Sequence, residues 1–495
     1  MDDSKPKWTT SSAAAALMAL GVVLRVRPYL ANRSLWIDEA FLVLNILERD
    51  FGRLLQPLDH LQAAPVGFLV LERLVVLLLG PREFALRLLP LLFSVGSVFL
   101  FWHLARRLLP SSGALLALAM FALSEQLIYY ASEVKPYGID VTVAVLLWWL
   151  ITQSEREGTT WRDLAVVGVV GAAAVWLSYP AIIVLGGLAI RWLWAPMRRG
   201  RWPTTASRAV VSGAWVLSFA LAYVTSMHRI GGNPELRDAW ASATAPLIPR
   251  AVSDLDWYVG AVAALASLPL GRAVDHLVLV VVIIGSVARR DLLASVAGPI
   301  ALSWLAAVVG KYPMAARLWL FLAPFVIVLA AAGLVDTWRR TRAAMPLLGS
   351  VLIVLLFAYP ALRAARDVLR PRQVEEVRPL LEHARDHYRT GDALYLYYWT
   401  EFPARYYAAC GLAFPGEVIV GSVGGSDGVE TYARDADRFK RGGRVWLLFS
   451  HVQSPHGLDE EALLLRNVNR IGQELEAQRR TGASLYLYEV APSKP

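Results

Sequence analysis

Cysteine is almost absent: the 495 residues include one, Cys410. That excludes an internal disulfide framework and any cysteine-rich metal site, and says little about compartment. Charge is scarce as well. Asp, Glu, Lys and Arg make up 18% of the chain against 56% hydrophobic residues, and the mean hydropathy is +0.45. A soluble domain is nearer half apolar, with its hydrophobic residues spread in short periodic runs. No tandem repeat or low-complexity tract is present, which removes solenoid and linker-dominated architectures.

What the chain has instead is a series of long apolar stretches. Each is able to cross a hydrocarbon core that takes roughly 20 helical residues. The sequence reads as a polytopic α-helical membrane protein. The first stretch, Ala13 to Leu30, runs straight into SLWIDEAF (Ser34–Phe41) without a small-residue cleavage pattern, so it is expected to be the first span. The formal charge of +9 could suggest nucleic acid, but the arginines gather at the ends of apolar segments. That is the footprint of membrane orientation, and no nucleic-acid partner is expected.

Hydropathy alone gives roughly thirteen spans. Two candidates are short, Pro65–Gly80 and Trp257–Gly271, and the first carries Glu72 and Arg73 in its middle. If both crossed, Arg106-Arg107 and Arg198, Arg199 and Arg201 would face outward, against the inside bias of basic residues. Read as interfacial amphipathic helices, they leave about eleven spans. These are 13–30, 84–105, 112–131, 137–152, 162–178, 180–196, 207–226, 273–289, 292–310, 315–337 and 344–362. The basic clusters, with Arg289-Arg290 and Arg339–Arg342, then become cytoplasmic. Arg25, Arg27 and Arg33 are exceptions to the bias.

The same count sends the end of the chain to the outer side. From about Arg363 the composition is that of a soluble domain. VEEVRPLLEHARDHYRTGD reads as an amphipathic helix stopped by Gly391. ALYLYYW, EVIVGSV, RVWLLFS and SLYLYEV read as strands, with helical patterns at FPARYYAAC and around LLLRNVNRIGQELEAQRR. The expected division is a membrane domain at 1–362, with 31–83 as its first external loop, and a small external α/β domain at 363–495.

Three outer loops hold the chemistry-bearing residues. In the first, Ser34 is a plausible N-cap, and Asp38, Asn45 and Arg49 share one stripe of the following helix. Acidic residues in a first turn also suit the helix dipole, a purely structural use of Asp38 and Glu39. His60 and Gln62 add neutral polar groups to this loop. The second, YYASEVKPYG (Tyr129–Gly138), holds Glu133, Lys135 and Tyr137. A lysine at a span end commonly just snorkels to headgroups. The third, GKYPMAAR (Gly310–Arg317), holds Lys311, Tyr312 and Arg317, and cations there can bind a lipid headgroup or a lipid-linked phosphate. No metal signature is visible, although Asp38 and Glu39 could chelate a divalent ion.

SLWIDEAF with HLQAAPVGFLVL, FALRLLPLLFSVGSVFLFWHLARRLLP, LIYYASEVKPYGID and KYPMAARLWLFLAPFVIVLAAAGL, in this order, resemble the GT-C fold glycosyltransferases. That group includes the protein O-mannosyltransferases and the bacterial aminoarabinose and related lipid-sugar transferases. RTGDALYLYYWTEFPARYY and GRVWLLFSH are similar to the external C-terminal domain of bacterial members. Ala64-Pro65 stands where relatives have two prolines, and Lys135 where many have arginine.

The resemblance implies a sugar donor on a polyprenyl phosphate, used at the outer face of the cytoplasmic membrane. The acceptor is a glycan, lipid or protein. It puts the catalytic acid on the pair Asp38-Glu39. Asp38 is then the general base, or alternatively a nucleophile giving retention. Glu39, His60, Gln62, Glu133 and Tyr137 bind substrate, as does Tyr312. Lys135, Lys311 and Arg317 offset charge on the departing phosphate. A flippase for lipid-linked sugars would show repeated halves and mid-span polar groups. A scaffold would not need acids and cations on three loops of one side.

Overall fold

The computed structural model describes residues 7–228, 234–244, 251–314, 317–343, 345–423, 428–439, 442–453 and 459–491. Ala315, Ala316 and Ala344, at the start of two expected spans, lie outside them. The helices of the first part are α1 (Lys7–Leu30), α2 (Ile37–Glu48), α3 (Val66–Leu79), α4 (Glu83–Leu108) and α5 (Ser111–Leu123). They continue with α6 (Glu125–Tyr129), α7 (Tyr137–Gln153), α8 (Trp161–Leu177), α9 (Ala181–Arg198) and α10 (Trp202–Ala222).

The chain folds as two compact units. One contains α1 with the residues to Ala31, then Asp50–Val75 and Arg87–Pro371; the other joins Asn32–Arg49, Val76–Leu86 and Arg372–Pro495. The composition break near Arg363 therefore misses two pieces. Helix α2 and the segment around Pro81 belong with the C-terminal residues, to which hydrogen bonds described below tie them.

Among the described residues of the first unit, six helices are long and apolar enough to cross a bilayer, or up to eight if each of two bent pairs is one span. The difference from roughly eleven has a geometric cause. Helices α7 and α8 have 17 residues each, about 26 Å at 1.5 Å per residue, short of a core of about 30 Å. Apolar side chains point outward, with Val210 75% and Leu217 72% exposed on α10, the surface expected of a lipid-facing helix.

Both bent pairs have local reasons. Helices α5 and α6 meet at 53°, where Ser124 caps α6 by accepting from the Leu127 N–H and donates its hydroxyl to the Leu268 carbonyl. The break leaves the last α5 carbonyls without helical donors. Arg25, fully buried in α1, supplies one: its guanidinium donates to the Phe121 carbonyl at 3.1 Å, to Ser94 Oγ at 3.1 Å and to the Gly21 carbonyl at 3.0 Å. The segments Asp254–Ser267 and Arg272–Ala288 meet at 104° through Gly271, whose φ of +90° suits a residue without Cβ. They cannot form one straight span. Elsewhere small residues let backbones touch: a Cβ on Gly285 would run into the Leu329 carbonyl, and one on Gly333 into that of Val281.

The second unit carries one five-stranded sheet, β1 (Ala393–Leu396), β2 (Glu417–Val420), β3 (Gly443–Ser450), β4 (Gly472–Arg480) and β5 (Ala483–Val490), in the order β2-β1-β3-β5-β4. Strand β1 lies parallel to β2 and β3, and β5 is antiparallel to β3 and β4. Tyr395, Leu447, Phe449 and Tyr486 fill the core with Leu464 of the helix Glu460–Val468.

Two expectations change here. The helix in VEEVRPLLEHARDHYRTGD spans Val377–Asp386 and ends before Gly391. The pattern LLLRNVNRIGQELEAQRR splits at Gly472 into a short helix and β4. As an exposed edge strand, β4 carries charge without loss, and Tyr488 donates across to Glu474.

Candidate functional site

In the membrane unit, polar residues of several turns meet. After α6 the chain makes a 3-10 turn at Tyr130–Ser132, and the Lys135 N–H donates to the Glu133 carbonyl at 2.7 Å. Pro136 then starts α7 and disfavours helix at Lys135, which aims that side chain out of the turn. Lys135 is buried, and its Nζ donates to Gln62 Oε1 at 2.6 Å. Gln62 Nε2 donates to the His60 carbonyl. His60 and Leu61 both have left-handed backbones, φ +60° and +54°, costly for residues with a Cβ. Two residues on, the Ala64 carbonyl accepts from the Tyr179 hydroxyl at 2.6 Å.

Asp140, buried in the first turn of α7, faces the same region. Burial, then the charges of Asp140 and Tyr137, push the Tyr312 phenol well above its ordinary range. Burial and then Asp140 do the same to Tyr179. Both phenols stay protonated donors, and Tyr312 donates to the Leu318 carbonyl at 2.9 Å. Tyr137 and Tyr312 thus share surroundings. Glu133 is fully buried beside Lys135 in sequence. Lys311 is exposed, and Arg317 lies over the Trp240 ring at 5.5 Å.

In the second unit, Asp38 and Glu39 open α2. Asp38 is half-buried. Glu39 is fully buried, 3.9 Å from Arg33 Nη2. Ser34 is not the N-cap: Trp36 holds that position without a side-chain bond. A distant segment does the capping, since the Ile37 N–H donates to Glu375 Oε2 at 3.0 Å. The Ser34 hydroxyl instead donates to Glu376 Oε2 at 3.1 Å and accepts from the Arg378 N–H. The Leu35 N–H donates to the Tyr407 hydroxyl, and Arg378 donates to the Asn32 carbonyl and to Glu83. Phe41 packs edge-on against Phe402 and Trp399. Asn45 and Arg49 are buried, and Asn45 bonds back to the Phe41 carbonyl.

Sequence reasoning missed Asp140, Tyr179 and Glu375. An aspartate inside the apolar run of α7 is a signal for the first. The others could not be found, because their partners come from distant parts of the chain. Among the described residues no group of three or more His, Cys, Asp or Glu side chains could hold a metal ion.

The family model for dolichyl-phosphate-mannose-protein mannosyltransferases matches residues 62–228. No curated protein sequence matches. The oligosaccharyltransferase AglB of Archaeoglobus fulgidus, solved with an inhibitory peptide and a dolichol-phosphate, is 10% identical, with a TM-score of 0.52 over 97% of this chain and 74% of that one. ArnT of Cupriavidus metallidurans in the apo state is 12% identical, with a TM-score of 0.54 over 97% of both chains. ArnT bound to undecaprenyl phosphate gives 10% and 0.51, again over 97% of both. Likeness over nearly the whole chain, with a sheet-bearing C-terminal part after the spans, shows that this chain shares the fold of these membrane proteins, the GT-C fold.

Proposed function

We propose that the protein transfers a sugar from a polyprenyl-phosphate donor to an acceptor hydroxyl at the outer face of the cytoplasmic membrane, with Asp38 as general base. The GT-C fold, on a chain that opens α2 with a half-buried Asp38, carries this reading. Structures of two neighbours hold a dolichol-phosphate or undecaprenyl phosphate, which supports a lipid-phosphate donor. Residues 1–362 supply the membrane transferase and 363–495 an outer-face domain.

In the reaction the acceptor oxygen attacks the anomeric carbon as the bond from that carbon to the phosphate oxygen breaks. Asp38 takes the hydroxyl proton, and the lipid phosphate leaves with the bonding electrons. Glu39, held near Arg33, is a positioning acid. In the membrane unit Lys135, steadied by Gln62, offsets the growing phosphate charge together with Lys311 and Arg317. His60, Glu133, Tyr137 and Tyr312 shape the donor site.

Asp38→Asn tests this. The amide keeps the side chain's size but cannot take the proton, so single-turnover transfer should fall roughly 10²–10⁴-fold with melting temperature and undecaprenyl phosphate binding unchanged. Near-normal transfer per folded molecule would remove Asp38 from the mechanism.

A further inference from the structure

At the C-terminal end of β3, within the second unit, lies a cavity of about 420 Å³ lined by Glu375, His451, Glu461, Arg479 and Arg480. The carboxyl ends of parallel strands are where open α/β sheets hold ligands. His451, the first residue after β3, has φ +53°, left-handed backbone that a non-glycine residue rarely adopts. This conformation accompanies a 2.7 Å contact of its Nδ1 with Glu375 Oε1. The other ring nitrogen remains to meet a ligand.

The cavity's cations are not spent on its acids. Arg479 rests on the Tyr486 hydroxyl through Nε at 3.1 Å and Nη2 at 2.9 Å, and that hydroxyl donates to Glu461 at 2.6 Å. Neither Arg479 nor Arg480 makes an ion pair among the described residues, and Arg480 is exposed. Glu375 is spent twice, on His451 and on the Ile37 N–H. The wall is built: the β4–β5 turn sits so close to Val374 that a Cβ on Gly482 would run into its carbonyl, and the Glu376 N–H donates to the Thr481 carbonyl at 2.9 Å.

We propose that this cavity binds an oxyanion of the acceptor, a phosphate or a sugar carboxylate, through Arg479, Arg480 and His451, and that Glu375 passes its occupancy to the first turn of α2. Two guanidinium groups and an imidazolium, with Nδ1–H given to Glu375 and Nε2–H left to donate, suit such a group by charge and by hydrogen-bond geometry. The same Glu375 carboxylate touches His451 and the helix that begins one residue before Asp38. Binding thereby firms the start of α2. The acceptor role rests on the transferase reading above; the anion site does not.

The full-length chain in phosphatidylcholine nanodiscs would be titrated calorimetrically with inorganic phosphate and with glucuronate. Saturable binding of at least one is expected, weakened about tenfold or more in Arg479→Gln/Arg480→Gln. His451→Asn, which tolerates the left-handed backbone, should also weaken it. Bound anion should slow amide exchange at Ile37 in the wild type but not in Glu375→Gln. Absence of saturable binding, or equal binding by the double variant at unchanged melting temperature, would overturn the site. Loss of phosphate binding in phosphatidylglycerol nanodiscs would assign the cavity to a lipid headgroup and overturn its acceptor role. Asp38→Asn should bind phosphate normally, so a failure of the transferase reading would appear in its turnover alone.

Discussion

Glu375 Oε2 accepts the Ile37 N–H at 3.0 Å, so the helix that presents Asp38 is capped by a carboxylate 338 residues further along the chain. Replacing it with alanine leaves that N–H and His451 without their acceptor. Removing a buried charged acceptor costs about 1–3 kcal/mol. Glu375→Ala should therefore lower the melting temperature and reduce transfer, while Glu375→Gln, which keeps one carbonyl oxygen, should recover part of the stability. Thermal unfolding of the purified variants in lipid checks both.

Lys135 Nζ sits on Gln62 Oε1 within the packed protein rather than at an exposed span end. Lys135→Ala should weaken undecaprenyl phosphate binding about tenfold or more, the scale of one charge-assisted contact. Gln62→Ala should have a smaller effect, since it takes one acceptor from the ammonium without removing the charge. Equal binding by Lys135→Ala and the wild type, measured by native mass spectrometry, would leave the lysine a structural role only.

Arg25 joins α1 to α4 and α5 with no acidic partner among the described residues. Its loss should act on stability. Arg25→Leu removes the donor from the Phe121 carbonyl at the α5–α6 break, for about 1–3 kcal/mol. Arg25→Lys offers a point charge in place of a planar fork and should restore only part of it. Unfolding in detergent measures the order.

Gly285 and Gly333 mark a place where two helices touch through their backbones. Gly285→Ala forces the helices apart and should cost at least about 2 kcal/mol, at the upper part of the range for overpacking. Gly96 on α4 has open space where its Cβ would go, so Gly96→Ala should be neutral or slightly stabilising. The contrast in melting temperature separates close approach from intrinsic helix propensity.

The sequence by itself determined the class of this protein. Apolar runs of roughly 20 residues have no stable home outside a bilayer, so hydropathy and composition mark the membrane part and the change near Arg363 without any contact being known. Strand and helix patterns likewise marked the α/β character of the C-terminal part, and the ordered segments from SLWIDEAF to KYPMAARLWLF suggested the fold that the structural neighbours share. Local signals failed where a tertiary partner replaced a local one. Ser34 looked like a cap because serine commonly serves the helix that follows it, yet Glu376 and Arg378 engage it and Glu375 caps α2. GQELEAQRR looked helical because its residues are good helix formers, yet pairing with β5 makes it a strand. The meeting of Lys135 with Gln62, and of Tyr312 with the charge of Asp140, was also decided by the tertiary structure. Propensity and periodicity act over a few residues, whereas these contacts join segments tens to hundreds of residues apart, and only the packed chain fixes which of them meet.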